Sequence, residues 1–261
     1  MTMTRQPNEI RSDIAYSRPD RIVIRGKDLA QDILGQMNLG DFAYFQLTGK
    51  TATPAQSRVF NAVLITLVEH GMTPSAIAAR LTYAGAPESL QAAVAAGLCG
   101  LGTVFVGTTE GSARMLYEAF EQAGDNPDLD RLAANTVADY RARKQIIPGI
   151  GHPIHKPIDP RTPRLFKIAE DNGMSGKHIA LMQRIGAEAE RASGKVLPIN
   201  ATGALGAICC EFGFPWKIVR GFGVMARAIG LVGHIMEESE RPMALDIWHD
   251  VEARATAHIR D

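Results

Sequence analysis

Charge of one prevailing sign is missing from this chain. Lys plus Arg and Asp plus Glu are equal at 28 each in 261 residues, so no net field draws it toward nucleic acid or an anionic membrane. Long apolar runs are missing as well. None reaches the roughly 18 residues of a membrane span, and the opening MTMTRQPNEIRSD contains no apolar signal-peptide core. Neither nucleic acid nor membrane is therefore expected as a partner, and the cytoplasm is the expected location. Cysteine is scarce: three residues, with Cys209 and Cys210 adjacent, form neither a disulfide framework nor a zinc pattern and read as small buried apolar groups. Strand signals are scarce too, with RIVIRGKDL the one stretch expected to be extended. Internal repeats and low-complexity tracts are absent.

What is abundant is helical period. With 46% hydrophobic residues the chain can bury a sizeable core, and its apolar positions recur three and four apart in segment after segment. One helix is expected from Leu29 through Ile33 and Met37, capped by Asp28 and ended by Asn38 and Gly40. Thr53-Pro54 and Thr73-Pro74 each read as a cap followed by a first turn, the former opening a helix that runs up to Glu69 and His70. Further helices are expected at 87–100, 110–122, 131–144, 163–171, 177–192, 203–211 and 216–240, with GTVFVG and DNPDLD as turns. Ten or more helices with almost no strand predict an all-α fold. In that setting Gly149 and Gly151 are no dinucleotide fingerprint, since no strand feeds them and a third glycine is missing, so no nicotinamide is expected.

The stretch IPGIGHPIHKPIDPR, 147–161, is the least like packing material. Glycines let backbone approach a ligand closely, prolines hold one loop shape, and His152 and His155 can exchange protons near neutral pH. Pro153 disfavours a helix there, and no carboxylate or thiol completes a ligand set with the two histidines, so no metal site is expected. Arg227 lies among Val224, Met225, Ala226, Ala228 and Ile229; a guanidinium in so apolar a stretch needs an anion, either from the protein or from a ligand. His70 at a helix end and His234 further along also admit purely structural roles. Together these residues suggest an anionic small molecule handled by acid or base chemistry.

At these same stretches the chain resembles the citrate synthase superfamily, and within it the short citryl-CoA lyase type and the lyase module of ATP citrate lyase. The likeness runs through IRGKDL, YFQLTGKTATPAQ, EHGMTPSAIAARLTYAGAPESLQAAVAAGLCGLG, GIGHPIHKPIDPR, LPINATGALGA and ARAIGLVGHIMEE. It implies a helical homodimer or higher homo-oligomer, with a large domain from residues 1–106 and 204–261 and a small mobile domain, 107–203, that closes over coenzyme A. His70 looks like the family histidine that holds the oxaloacetate portion. His152 looks like the one on its carbonyl, or on the tertiary hydroxyl of citryl-CoA, whose proton it would help remove. Arg161 and Arg227 look like carboxylate-binding arginines, for which bidentate guanidinium geometry gives a reason. Pro148, Gly149, Ile150, Gly151 and Lys156 are similar to the loop that contacts coenzyme A.

Three departures qualify the likeness. FVGTT has Val106 and Gly107 where synthases carry a PLHGG histidine; the lyase-type relatives lack it too. PINATG puts Thr202 where relatives read PINVDG, with an aspartate that moves the proton at the acetyl carbon. Pro153 stands where an arginine usually follows the loop histidine. The resemblance thus implies a carbon-carbon lyase that cleaves citryl-CoA, or a related hydroxyacyl-CoA, to acetyl-CoA and oxaloacetate or a related oxoacid. Thr202 would relay a proton from water or help hold the oxyanion. A CoA-thioester enzyme with a shifted substrate and a noncatalytic CoA-binding homologue are the alternatives.

Overall fold

The computed structural model describes residues 10–124 and 127–259. Helix dominates at 65%, as the recurring 3.6 period requires, and the fold is all-α. The chain separates into two compact units, one ending at Asn61 and the other beginning at Ala62.

The first unit opens with a small antiparallel sheet of β1 (Ala15–Arg18), β2 (Arg21–Ile24) and β3 (Lys27–Asp28), in the order β1-β2-β3. The extended reading of RIVIRGKDL is met by β2 and β3, whereas β1 had no alternation to announce it. Asp28 does cap a helical segment, its carboxylate accepting from Ala30 and Gln31 N–H, but the segment is a single π turn, Leu29–Ile33, with only Ile33 buried. Asn38 does not end that helix; it starts another. Its side chain accepts from Asp41 N–H at the head of α1 (Leu39–Thr48), and Gly49 in the left-handed conformation closes it. Thr53 and Gln56 form a reciprocal capping box at the start of α2 (Pro54–Val68). Tyr44 of α1 packs edge-on against Phe60 with centroids 5.5 Å apart.

The second unit contains α3 (Pro74–Gly85), α4 (Leu90–Cys99), α5 (Gly107–Glu121), α6 (Leu129–Ala142), α7 (Arg161–Asp171), α8 (Lys177–Ser193), α9 (Ala201–Glu211), α10 (Trp216–Glu240) and α11 (Ala244–Ala255). At its centre lies α9, where every residue from Ala201 to Cys210 except Thr202 is buried. Around it pack α5, α7, α8 and α10, while α10 also meets α3 and α4. By length and composition alone α10 could cross a membrane, although charged residues interrupt its apolar run; its buried face, including Val219, Phe222, Ala226 and Leu231, serves this core. Glu211, the last residue of α9, accepts from Gly176, His178 and Ile179 N–H and so caps α8. Of the cysteines, Cys209 and Cys210 are buried as expected, but Cys99 is exposed. The expected DNPDLD turn falls partly outside the described residues, at positions 125 and 126.

Candidate active site

The loop between α6 and α7 is tied to the chain leading into α9. Gly151 N–H donates to Pro198 O (2.7 Å), Asn200 N–H to Gly149 O (2.9 Å) and Asn200 Nδ2 to Gly151 O (2.6 Å), around an isolated antiparallel bridge between Ile150 and Ile199. Gly149 has φ of 83°, and a Cβ on it would lie 2.4 Å from Gly203 Cα. Glycine is needed there for both the turn and the contact with α9. Pro148, Gly149, Ile150 and Gly151 then line a cavity of about 670 Å³ together with His70, His152, Arg161, Thr202 and Arg227. Lys156, expected beside them, is exposed and lies outside that lining.

His70, which follows α2, meets both loop histidines. Ring centroids are 6.4 Å apart for His70–His152, 6.0 Å for His70–His155 and 4.3 Å for His152–His155. One ring nitrogen from each lies within 4.8 Å of the others, which is the spacing of a candidate metal-ligand set. The sequence grouped only His152 and His155; His70, singled out there for another role, comes from 82 residues away. The hydrogen bonds of His152 decide how it can act. Its Nδ1 accepts from Ile154 N–H (3.1 Å) and His155 N–H (2.9 Å), and backbone amides can only donate. The neutral ring therefore carries its proton on Nε2 and offers a donor, not a lone pair, to the cavity. That tautomer fits a ligand oxygen and does not fit a metal ion. It also removes the expected role of His152 as acceptor of the hydroxyl proton. Burial, followed by the charge of His155, holds His152 below the ordinary imidazole range; burial, then Arg161, His155 and Arg227, does the same for His70.

The two arginines differ in what they have to spare. Asp159, fully buried, takes Arg161 Nε (2.9 Å) and Nη2 (2.8 Å) on its two oxygens and also accepts Ala201 N–H (2.9 Å). Burial alone would raise the Asp159 carboxyl, but these bonds hold it below its ordinary value. Only Nη1 of Arg161 is left outside that pairing. Arg227 is 6% exposed, and its Nε and Nη1 have no partner among the described residues. The alternative of an internal ion pair is thus not realised among the described residues. An unpaired buried guanidinium is costly, and burial pushes its pKa down, with the charge of Glu69 opposing. Thr73 Oγ1, on the same cavity, is likewise buried and unpaired among the described residues.

Thr202 Oγ donates to Asn200 Oδ1 (2.6 Å) and accepts from Thr108 Oγ (2.9 Å). Asn200 Oδ1 must be the acceptor, since it also takes Gly203 N–H and its Nδ2 is used on Gly151 O. The chain therefore runs Thr108 to Thr202 to Asn200 and leaves the Thr108 oxygen as an acceptor at the cavity. Thr108, Thr73 and Asn200 carried no signal in the sequence beyond their ordinary cap and turn chemistry.

Residues 15–246 match the family described as citrate synthase, C-terminal domain. The chain belongs to the citrate synthase family. The Dictyostelium discoideum protein named "Probable ATP-citrate synthase" is 23% identical over 257 residues, which is 92% of this chain but only 40% of that protein. The structure of citryl-CoA lyase from Hydrogenobacter thermophilus is similar at 34% identity and a TM-score of 0.79, covering 87% of this chain and 86% of that one. ATP citrate lyase from Methanothrix soehngenii, solved with citrate and coenzyme A, shares the fold at 22% identity and a TM-score of 0.75, over 90% of this chain and 40% of that one. Within the citrate synthase family, then, this chain matches a short lyase along most of both lengths and the long ATP-dependent proteins along less than half of theirs.

Proposed function

We propose that the protein is a citryl-CoA-lyase-type carbon-carbon lyase, cleaving citryl-CoA or a related hydroxyacyl-CoA to acetyl-CoA and an oxoacid. The observation that carries this reading is Arg227, buried with its Nε and Nη1 unpaired among the described residues, on the cavity that also holds the His152 donor. Such a pair fits a carboxylate beside a carbonyl or hydroxyl oxygen. The likeness to the Hydrogenobacter thermophilus lyase supports the same choice. Coenzyme A would lie along Pro148, Gly149, Ile150 and Gly151, with residues 107–203 closing over it. A homodimer belongs to the same reading and is supported by the exposed apolar side chains of α10 and α11, among them Ile229, Met236, Leu245 and Trp248.

In cleavage, the tertiary hydroxyl loses its proton as the carbon-carbon bond breaks, the oxoacid carbonyl forms, and the bonding pair passes to the thioester as an enolate. His70, neutral near pH 7 because its pKa is lowered, takes that proton. His152 Nε2–H donates to the same oxygen while negative charge develops on it. The enolate carbon then gains a proton from water while the proton held on His70 returns to solvent, so that acetyl-CoA forms and the site is reset. Thr202 is poorly placed to give it, because its own proton is committed to Asn200; slow turnover is expected.

One observation favours a shifted substrate. Arg161 is tied to Asp159, and Met72, Leu101, Val104, Phe105, Val106 and Ile154 make much of the cavity wall apolar. The test is a mass-spectrometric assay over hydroxyacyl-CoA thioesters with and without the second of citryl-CoA's two free carboxylates. Oxaloacetate released from citryl-CoA supports the lyase reading. Cleavage only of thioesters lacking that carboxylate moves the assignment to the shifted substrate, and binding without turnover of any of them overturns the enzymatic reading.

A further inference from the structure

Away from the cavity wall, the second unit buries one more arginine. Arg80 of α3 is 0% exposed and uses three of its nitrogens on α10: Nη1 donates to Glu238 (3.0 Å), Nη2 pairs with Glu237, and Nε (3.2 Å) and Nη2 (2.9 Å) face His234 Nδ1. A guanidinium only donates, so His234 Nδ1 is an acceptor and Nε2 carries the proton. That Nε2–H reaches Glu69, 3.2 Å from Oε1 and 3.1 Å from Oε2. Glu69 Oε1 in turn accepts the backbone N–H of His70 (2.7 Å) and of Gly71 (2.6 Å). Gly230 of α10 makes room for this arrangement, since a Cβ there would fall 2.1 Å from Val68 O and 3.1 Å from Glu69 Oε2. Among the described residues no hydrogen bond holds the His70 ring itself. Its place beside His152, His155 and the arginines depends on the backbone that Glu69 clamps.

We propose that Glu69 is the positioning residue of His70, and that His234, fixed by Arg80 in one neutral tautomer, is what positions Glu69. The chain acts by direction: Arg80 donates to His234, His234 to Glu69, and Glu69 accepts the two amides that set the His70 turn. His234 moves no proton. This assignment rests on the lyase reading only where turnover is measured, because the position of His70 can be read without it.

The experiment compares His234→Gln, His234→Leu and Glu69→Ala. Glutamine keeps an acceptor toward Arg80 and a donor toward Glu69, whereas leucine keeps only bulk. Nitrogen-15 NMR of labelled histidine follows the titration of His70. In the native chain it titrates below 6.5 because of burial and its cationic neighbours. His234→Leu and Glu69→Ala should release the ring from those neighbours and move the titration up, while His234→Gln should leave it in place. Loss of the Glu69 charge alone would move it down, so the sign separates displacement from simple electrostatics. With citryl-CoA, the leucine and alanine variants should lose about 100-fold in kcat, the scale for a reacting group displaced by about an ångström, and the glutamine variant should retain turnover. In a His70→Ala background the further loss should vanish. A His70 titration that falls in folded Glu69→Ala, whose side chain is 46% solvent-exposed in its native form and so a mild site to truncate, overturns the proposal, as does an unmoved titration in folded His234→Leu, which keeps the Glu69 charge, or leucine serving as well as glutamine. Absence of citryl-CoA turnover in the native chain would sink the lyase reading and leave the NMR result standing.

Discussion

At Thr202 the hydrogen-bond direction, more than the residue type, limits the chemistry. A hydroxyl that gives its proton to Asn200 and receives one from Thr108 has none to spare for a carbanion. Thr202→Asp should reverse this. Asn200 Oδ1 remains an acceptor because its amide nitrogen is held by Gly151 O. A protonated Asp at 202 would therefore find a partner in Asn200, while an ionised one would face it lone pair to lone pair. That favours the neutral acid and raises the pKa of the new carboxyl, opposing the pull of Arg161 and Arg227. Citryl-CoA cleavage is expected to rise on the order of 100-fold, the scale of a positioned general acid, and to fall as pH rises through the raised pKa. His152→Ala, which removes the Nε2–H donor, should lower cleavage with either residue at 202. An unchanged rate in Thr202→Asp, with CoA affinity preserved, would mean that position 202 serves a different reaction.

Among the elements, the crowded approach of the 147–152 loop to α9 makes a prediction of its own. Gly149 and Gly151 both have positive φ, yet a Cβ on Gly149 meets Gly203 Cα at 2.4 Å, whereas one on Gly151 finds only Leu197 at 3.8 Å. Gly151→Ala should carry the backbone penalty alone, about 1 kcal/mol. Gly149→Ala should add an overpacking cost of about 1–3 kcal/mol and melt several degrees lower by calorimetry; equal melting points would refute the close approach. Helices with a strong apolar period, such as α10, could be read from sequence to the residue. Two others could not. Asn38 is a residue type found at both helix starts and helix ends, so its sign was ambiguous until Asp41 N–H was seen on its side chain. In α11 only Ala244 is buried and charged residues interrupt the period, so no stripe announced it. The same limit applied to the site. GIGHPIHKPIDPR advertised itself by composition, but the meeting of His70 with His152, the clamp of Asp159 on Arg161 and the Arg80–His234–Glu69 chain all join residues far apart in the sequence or depend on which atom donates.

For the molecule as a whole, the shifted groups predict a stability maximum with two flanks of different origin. On the acid side, His70 and His152 have folded pKa values below the ordinary 6.5, so the unfolded chain binds protons first and stability falls as pH drops through that value. Glu69, Asp159, Glu211 and Glu238 are held low in the fold by their hydrogen bonds, overriding the upward push of burial. The stability they provide is present above the unfolded carboxyl range and is lost as pH falls through their lowered values, steepening the decline below about pH 4.5. On the alkaline side, burial raises Tyr117 and Cys210 to about 12, and raises Cys209, Tyr44 and Tyr140 as well. These groups ionise earlier in the unfolded chain, so stability falls again as pH rises through about 9 to 10. Thermal unfolding followed by circular dichroism should therefore show a plateau between about pH 7 and 9, a first decline beginning near 6.5 and a second below 4.5. A double variant His70→Gln and His152→Gln should lose the first decline and keep the second. If the decline near 6.5 survives that double variant, the histidine pair in the cavity is not its source.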